Sequence, residues 1–112
     1  MEVSKINFSP EELIRYHRQI IYPDWGIEGQ NRIKSATVFI AGAGGLGSPV
    51  AIYLAVAGVG RLRICDNGKV ELSNLNRQIL YTDKDVNQLK GIIARDYLKQ
   101  LNPNVEVEFF SK

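Results

Sequence analysis

The run Val38-Phe39-Ile40-Ala41-Gly42-Ala43-Gly44-Gly45-Leu46-Gly47-Ser48 constrains the fold of this chain more than any other stretch. Its first four residues are apolar and read as a buried strand. Glycines at 42, 44 and 47 break that strand, and Pro49, Val50 and Ala51 then open a helix. A strand, a glycine-rich turn and a helix N-terminus in this order make a cradle for nucleotide phosphates. Gly42 permits the tight turn, Gly44 lets backbone approach the phosphates, and Gly47 lets helix pack closely on strand. The free N–H groups and dipole of the helix attract the anion. The pattern specifies a nucleotide without choosing one.

The flanking sequence extends this turn into a parallel α/β unit. A strand over 37–41, a helix over roughly 46–58 and a strand over 61–65 form a βαβ unit, right-handed and parallel. A polar stretch from Asp66 to Asp85 has little periodicity. Helix signals resume near Gln88 and stop at Asn102-Pro103, and residues 105–110 begin with the alternation of a third strand. Upstream, Ser9-Pro10-Glu11-Glu12 is a capping box with proline in the first turn. The helix it starts is expected to carry Leu13, Ile14, His17, Ile20 and Ile21 toward the body and to end by Pro23. A second short helix is expected over 26–34. The chain is thus predicted to be α/β, a Rossmann-like βαβαβ sheet of about three parallel strands. Residues 36–112 form the nucleotide-binding unit and 1–35 an N-terminal helical arm. A sheet this narrow has an unfinished edge, which calls for a partner or a further length of chain.

Composition narrows the class of function. The chain has 112 residues, 45% of them hydrophobic, enough for one ordinary core. A net charge of +2, with acids and bases mixed, argues against a dedicated nucleic-acid surface. Cys65 is the single cysteine, so no internal disulfide forms and no Cys/His spacing suggests a metal site. Met1 to Lys5 lack the apolar core of a signal peptide, and no apolar run approaches the ~20 residues that span a bilayer. The expectation is a soluble cytoplasmic protein.

Asp66 ends the second strand, 19 positions after Gly47. An acid about 20 residues beyond the glycines accepts hydrogen bonds from ribose hydroxyls; the competing reading is a surface carboxylate at a strand end. Ser73-Asn74-Leu75-Asn76-Arg77-Gln78 then packs amides, a hydroxyl and a cation into six positions. In a loop at the carboxyl end of the sheet, such groups suit phosphate chemistry, where cations neutralise phosphoryl oxygens and amides orient them. Lys90, at the start of the next helix, and Arg18, in the arm, add positive charge; each alone also reads as a solvated surface residue.

Taken in order, these elements resemble a known family. Arg15-Tyr16-His17-Arg18-Gln19-Ile20, Gly29-Gln30, the glycine turn, Ala57-Gly58-Val59-Gly60 and Asp66 come first. Val70 to Gln78 and Leu101-Asn102-Pro103 follow. Together they are similar to the N-terminal part of the HesA/MoeB/ThiF family, relatives of ubiquitin-activating enzymes, from about Leu13 to Val107. The resemblance implies ATP-dependent adenylation of the C-terminal glycine of a ubiquitin-like sulfur-carrier protein. It implies that Gly45 approaches the phosphates and Asp66 holds the ribose. Ser73, Asn74 and Arg77 would line the nucleotide loop, with Arg77 and Lys90 countering phosphate charge. Arg18 aligns with the family arginine that reaches into a partner subunit's site, so a homodimer is expected.

Two departures accompany the resemblance. The family's second acid, two positions after the ribose-binding Asp, is Gly68 here. The family's magnesium-associated Asp, carrier-tail crossover loop and Cys-x-x-Cys zinc pairs are expected past Lys112, so the chain is expected to bind ATP but to be incomplete for catalysis alone. Magnesium would accompany ATP, with its family ligand outside this sequence. Cys65 reads as a small core residue rather than a nucleophile. His17 reads as a packing or surface residue, Trp25 and the Tyr81 region as core or interface, and Glu106 and Glu108 as a strand's solvent face. Two alternatives stay open: an NAD(P)-binding module of an oxidoreductase, which the glycines and Asp66 fit equally well, and a non-catalytic dimerisation or partner-binding module.

Overall fold

The computed structural model describes residues 8–45 and 47–111; Leu46 of the glycine turn, the N-terminal stretch read above for a leader, and Lys112 lie outside the described residues. Three strands, β1 (Thr37–Ala41), β2 (Arg61–Cys65) and β3 (Glu106–Phe110), form one sheet in the order β1-β2-β3. Both pairings are parallel, with Ile40 opposite Ile64 and Ile64 opposite Phe109. The connections are α4 (Gly47–Ala57) between β1 and β2, and α5 (Lys90–Leu101) before β3. The predicted βαβαβ order is therefore observed. Two single 3-10 turns, Leu72–Asn74 and Asp83–Asp85, punctuate the polar stretch between β2 and α5.

Strand alternation decides which side chains enter the core. Ile40, Leu62, Ile64 and Val107 face α4 and α5, where Ala51, Ala55, Ala94 and Leu98 meet them. Leu62, Ile64 and Leu98 are fully buried, and each such side chain contributes about 1.5–3 kcal/mol of apolar transfer. The other face of the sheet is open. Phe39 is 60% exposed and shares a shallow hollow with Arg63, Cys65 and Phe110. Arg61 pairs with Glu106 at 2.8 Å, Arg63 with Glu108 at 3.3 Å, and the Arg63 guanidinium lies 4.7 Å over the Phe110 ring. Cys65 is thus half-buried on the open face and not in the core, because strand parity sends it opposite to Ile64. Parallel sheets are ordinarily covered on both faces.

Upstream, α1 (Pro10–Arg15), α2 (His17–Ile20) and α3 (Gly26–Lys34) form the arm. The capping box is present: the Ser9 Oγ accepts from the Glu12 N–H at 3.1 Å, and Glu12 Oε1 accepts from the Ser9 N–H at 2.9 Å. The single helix expected to run on toward Pro23 breaks at Tyr16. The expected inward face is also corrected. Ile14 is 78% exposed, Ile21 59%, and His17 is exposed, whereas Phe8, Glu12 and Tyr16 are buried. The inward positions are those whose polar atoms find partners, which apolar periodicity alone cannot see. Asn102 Nδ2 donates to the Tyr16 hydroxyl at 2.8 Å and to the Ala55 carbonyl at 2.7 Å. Gln30 Nε2 and Gln19 Nε2 both donate to the Ala57 carbonyl, at 2.8 and 2.9 Å. Gln30 Oε1 accepts from Gln19 Nε2 and from the Trp25 indole, at 2.8 and 2.9 Å. This clamp ties the arm to the C-terminal end of α4. No described helix is long and apolar enough to cross a membrane.

Candidate nucleotide-binding site

The glycine turn leaves β1 at the carboxyl end of the sheet. Gly42 takes φ +96°, a conformation open to glycine, and its N–H donates to the Cys65 carbonyl at 2.8 Å. Gly47 then sits directly on the Gly42 carbonyl: a Cβ there would come within 2.1 Å of that oxygen. Hydrogen is the only side chain that fits. The Ser48 N–H donates to the Gly44 carbonyl at 2.8 Å, so α4 begins on the turn itself. Gly45 is exposed.

Asp66 follows β2 and bridges two segments. Its Oδ2 accepts from the Ala43 N–H at 2.7 Å, and its Oδ1 from the Gly68 N–H at 2.6 Å. Each carboxylate oxygen keeps a further lone pair, and the residue is half-buried, so it retains acceptor capacity for a ligand hydroxyl. The Lys90 N–H donates to the Gly68 carbonyl at 2.9 Å. Its side chain runs past Gly68, where a Cβ would lie 3.8 Å from Lys90 Cδ and 3.0 Å from Asp66 Oδ1. Gly68, in place of the expected second acid, leaves that passage clear.

The loop after β2 folds back onto the turn. Arg77 is exposed, with Nη1 donating to the Ser73 carbonyl at 3.2 Å and to Asn76 Oδ1 at 2.9 Å. A Cβ on Gly45 would lie 3.7 Å from Arg77 Nε, which sets this cation against the exposed part of the turn. Ser73 is exposed beside it. Asn74 is buried and shapes the loop: its Oδ1 accepts from the Glu71 N–H at 2.8 Å and its carbonyl accepts from the Arg77 and Gln78 N–H groups. Among the described residues no carboxylate pairs with Arg77 or Lys90. The site therefore presents two uncompensated cations, one half-satisfied carboxylate and a bare backbone turn.

Three residues lie beneath the turn: Gln78, read in the sequence as one of the loop's amides, and Ser48 and Tyr81, for which no polar role was expected. The buried Tyr81 hydroxyl donates to the Ala43 carbonyl. Burial, helped by the carboxylates of Asp66 and Asp85, pushes its phenol well above the ordinary tyrosine range. The buried Ser48 Oγ accepts from the Leu80 N–H at 3.2 Å. Gln78 is buried under Gly44, and its Oε1 has no hydrogen-bond partner among the described residues. Tyr81 read as packing because nothing in a sequence tells where a phenol's hydroxyl points.

Arg18 is not brought to this cluster. It stands exposed on α2, and among the described residues no hydrogen bond or ion pair joins it to the turn. A cleft of about 520 Å³ beside α3, lined by Asp24, Trp25, Glu28 and Arg32, offers no alternative for phosphate, since Glu28 already pairs with Arg32 at 2.9 Å. No group of three or more His, Cys, Asp or Glu among the described residues could hold a metal ion.

Residues 16–112 match the ThiF family profile. The chain belongs to the ThiF family. It is 51% identical over 105 residues to the sulfur carrier protein adenylyltransferase of Thermus thermophilus, covering 94% of this chain and 39% of that protein. Among solved structures, PaaA superposes with a TM-score of 0.86 at 43% identity, over 97% of this chain and 36% of that one. The Escherichia coli MccB structure with ATP superposes at 0.72 and 34% identity, over 72% of this chain and 24% of that one. The chain thus spans well under half the length of these relatives.

Proposed function

We propose that this chain is the ATP-gripping part of an adenylyltransferase that activates the C-terminal carboxylate of a ubiquitin-like sulfur-carrier protein. The observation that carries the reading is the convergence of the glycine turn, Asp66, Arg77 and Lys90 at one end of the sheet. In the reaction, a carboxylate oxygen of the carrier attacks the α-phosphorus of ATP. The bond to the β-phosphoryl oxygen breaks, its electron pair leaves on pyrophosphate, and an acyl-adenylate forms. On this reading the N–H groups of the turn and α4 receive the phosphates, Arg77 and Lys90 neutralise the charge that develops, and Asp66 takes the ribose through its spare lone pairs. Ser73 lines the same loop, and Asn74 acts by shaping it.

Among the described residues no cluster of three or more His, Cys, Asp or Glu is ready to hold a metal ion, and on this reading magnesium would arrive with the ATP phosphates and take its further ligands from a completing chain. The same shortfall supports a chain that needs more polypeptide to turn over. The open sheet face around Phe39 and Phe110 calls for covering helices. The α4 sequence, apolar all round, leaves Val50, Tyr53 and Val56 at 47%, 71% and 40% exposure, which suits a homodimer or a completing chain. In such an assembly Arg18, on the arm, is free to act in a partner's site. We treat 1–35 as that arm, 36–112 as the nucleotide unit, and the setting as cytoplasmic, where ATP is the co-substrate.

Calorimetric titration of the intact chain with ATP and with NAD tests this. Binding of ATP in preference to NAD, with little ATP–pyrophosphate exchange until a completing chain is added, is the expected result. Selective NAD binding would instead place the chain with hydride-transfer modules, which Arg77 against Gly45 does not favour.

A further inference from the structure

A glycine-rich turn is poorly able to hold its own shape, since glycine has the most backbone freedom to lose. A phosphate cradle nevertheless gains affinity when its N–H groups are fixed before the ligand arrives. Something outside the turn must fix it. Both peptide groups of Ala43 are held by side chains, and from opposite directions: Asp66, off β2, takes the N–H at 2.7 Å, and Tyr81, off the loop beyond Gln78, donates its hydroxyl to the carbonyl. Ala43 itself is 1% exposed and Tyr81 4%, so the bond made by the hydroxyl is shielded from water. The ring would fill the same volume without its hydroxyl. Among the described residues the hydroxyl bonds only the turn.

We propose that Tyr81 is a positioning residue, whose buried hydroxyl acts with Asp66 to preset the glycine turn for phosphate. This rests on the reading that the turn receives the phosphates of ATP. The molecule supplies its own control in Tyr16, which is 2% exposed and whose hydroxyl is likewise engaged, accepting from Asn102 Nδ2 at 2.8 Å. That bond belongs to the arm clamp rather than to the turn. A merely structural role for the Tyr81 hydroxyl would make Tyr81→Phe and Tyr16→Phe equivalent.

The test is ATP titration of the intact chain and both variants, with melting temperatures and amide NMR spectra of the ligand-free proteins. The expected result is comparable loss of thermal stability in both variants. ATP affinity falls about fivefold to tenfold in Tyr81→Phe alone, the cost of one buried hydrogen bond carried into binding. The amide signals of Gly42 to Gly45 shift in that variant and stay in place in Tyr16→Phe. Equal affinity of Tyr81→Phe and wild type, with unmoved turn amides, would overturn the proposal. If the wild-type chain binds no ATP, the functional reading fails on its own account, and the turn amides alone judge the positioning. Should Tyr81→Phe not fold, the Tyr81 hydroxyl proton of the intact chain decides: a proton that exchanges slowly enough to be seen by NMR, with a contact to the turn, supports the grip, and one that exchanges at the rate of an exposed tyrosine overturns it.

Discussion

Two polar networks hold this molecule, and they differ in what they leave over. In the arm clamp, Gln30 and Gln19 both bond the Ala57 carbonyl while Gln30 Oε1 takes two donors, and both amide hydrogens of Asn102 are spent on Tyr16 and Ala55. At the crevice, Asp66 spends one lone pair per oxygen on backbone, and Arg77 and Lys90 meet no carboxylate among the described residues. Side-chain hydrogen bonding thus makes a closed joint in one place and leaves charge unspent in the other. Unspent charge at the end of a parallel sheet distinguishes a ligand site from a structural tie.

Substitutions sharpen that contrast. The largest effect is expected from Gly47→Ala, where the new Cβ meets the Gly42 carbonyl and backbone must move; a loss of about 3 kcal/mol or more should appear in urea denaturation. Next is Asn102→Ala, which strands the buried Tyr16 hydroxyl and leaves the Ala55 carbonyl with the Gly58 N–H alone. It should cost about 2–3 kcal/mol in the same assay while leaving ATP affinity within about twofold. A matching loss of affinity would mean that clamp and crevice are one unit. Arg77→Ala should do the reverse, weakening ATP about tenfold through a lost charge-assisted contact, with stability unchanged to within about 0.5 kcal/mol.

The smallest effect is a pH dependence. Because burial raises the folded-state pKa of Tyr81, the native state keeps a proton that the unfolded chain releases near about pH 10. Its contribution to stability is complete below that pH and is lost as pH climbs above it. Denaturation midpoints taken from about pH 9 to about pH 11 should fall more steeply for the wild type than for Tyr81→Phe. Parallel slopes would remove the buried phenol from the account.

The crevice was far more legible than the clamp. The order of strands and helices followed from glycine placement and apolar runs, and all three strands lie within one residue of where the pattern puts them. Gly42, Gly47 and Asp66 could be named as candidates from glycines and an acid in fixed order, whereas Arg77 and Lys90 also read as surface cations until the fold set them beside Gly45 and Gly68. The clamp was not, because Gln19, Gln30 and Asn102 look like surface amides until the fold brings a carbonyl to each. For the same reason the arm's inward face was misjudged: Tyr16 and Glu12 go in with their partners, and Ile14 stays out. Cys65 shows a different limit. Parity put it opposite Ile64, and only the number of layers on the sheet told whether that side was core.

On the proposed reading ATP binds at the turn, with Asp66, Arg77 and Lys90. Amide NMR of the intact chain during ATP titration decides whether it does. The expected result is saturable shifts centred on Gly42 to Gly45, Asp66, Gly68 and Arg77, weakened by Arg77→Ala, while Gln30 and Asn102 stay unmoved. Shifts centred instead on the α3 cleft, or a turn that responds to NAD and not to ATP, would contradict it.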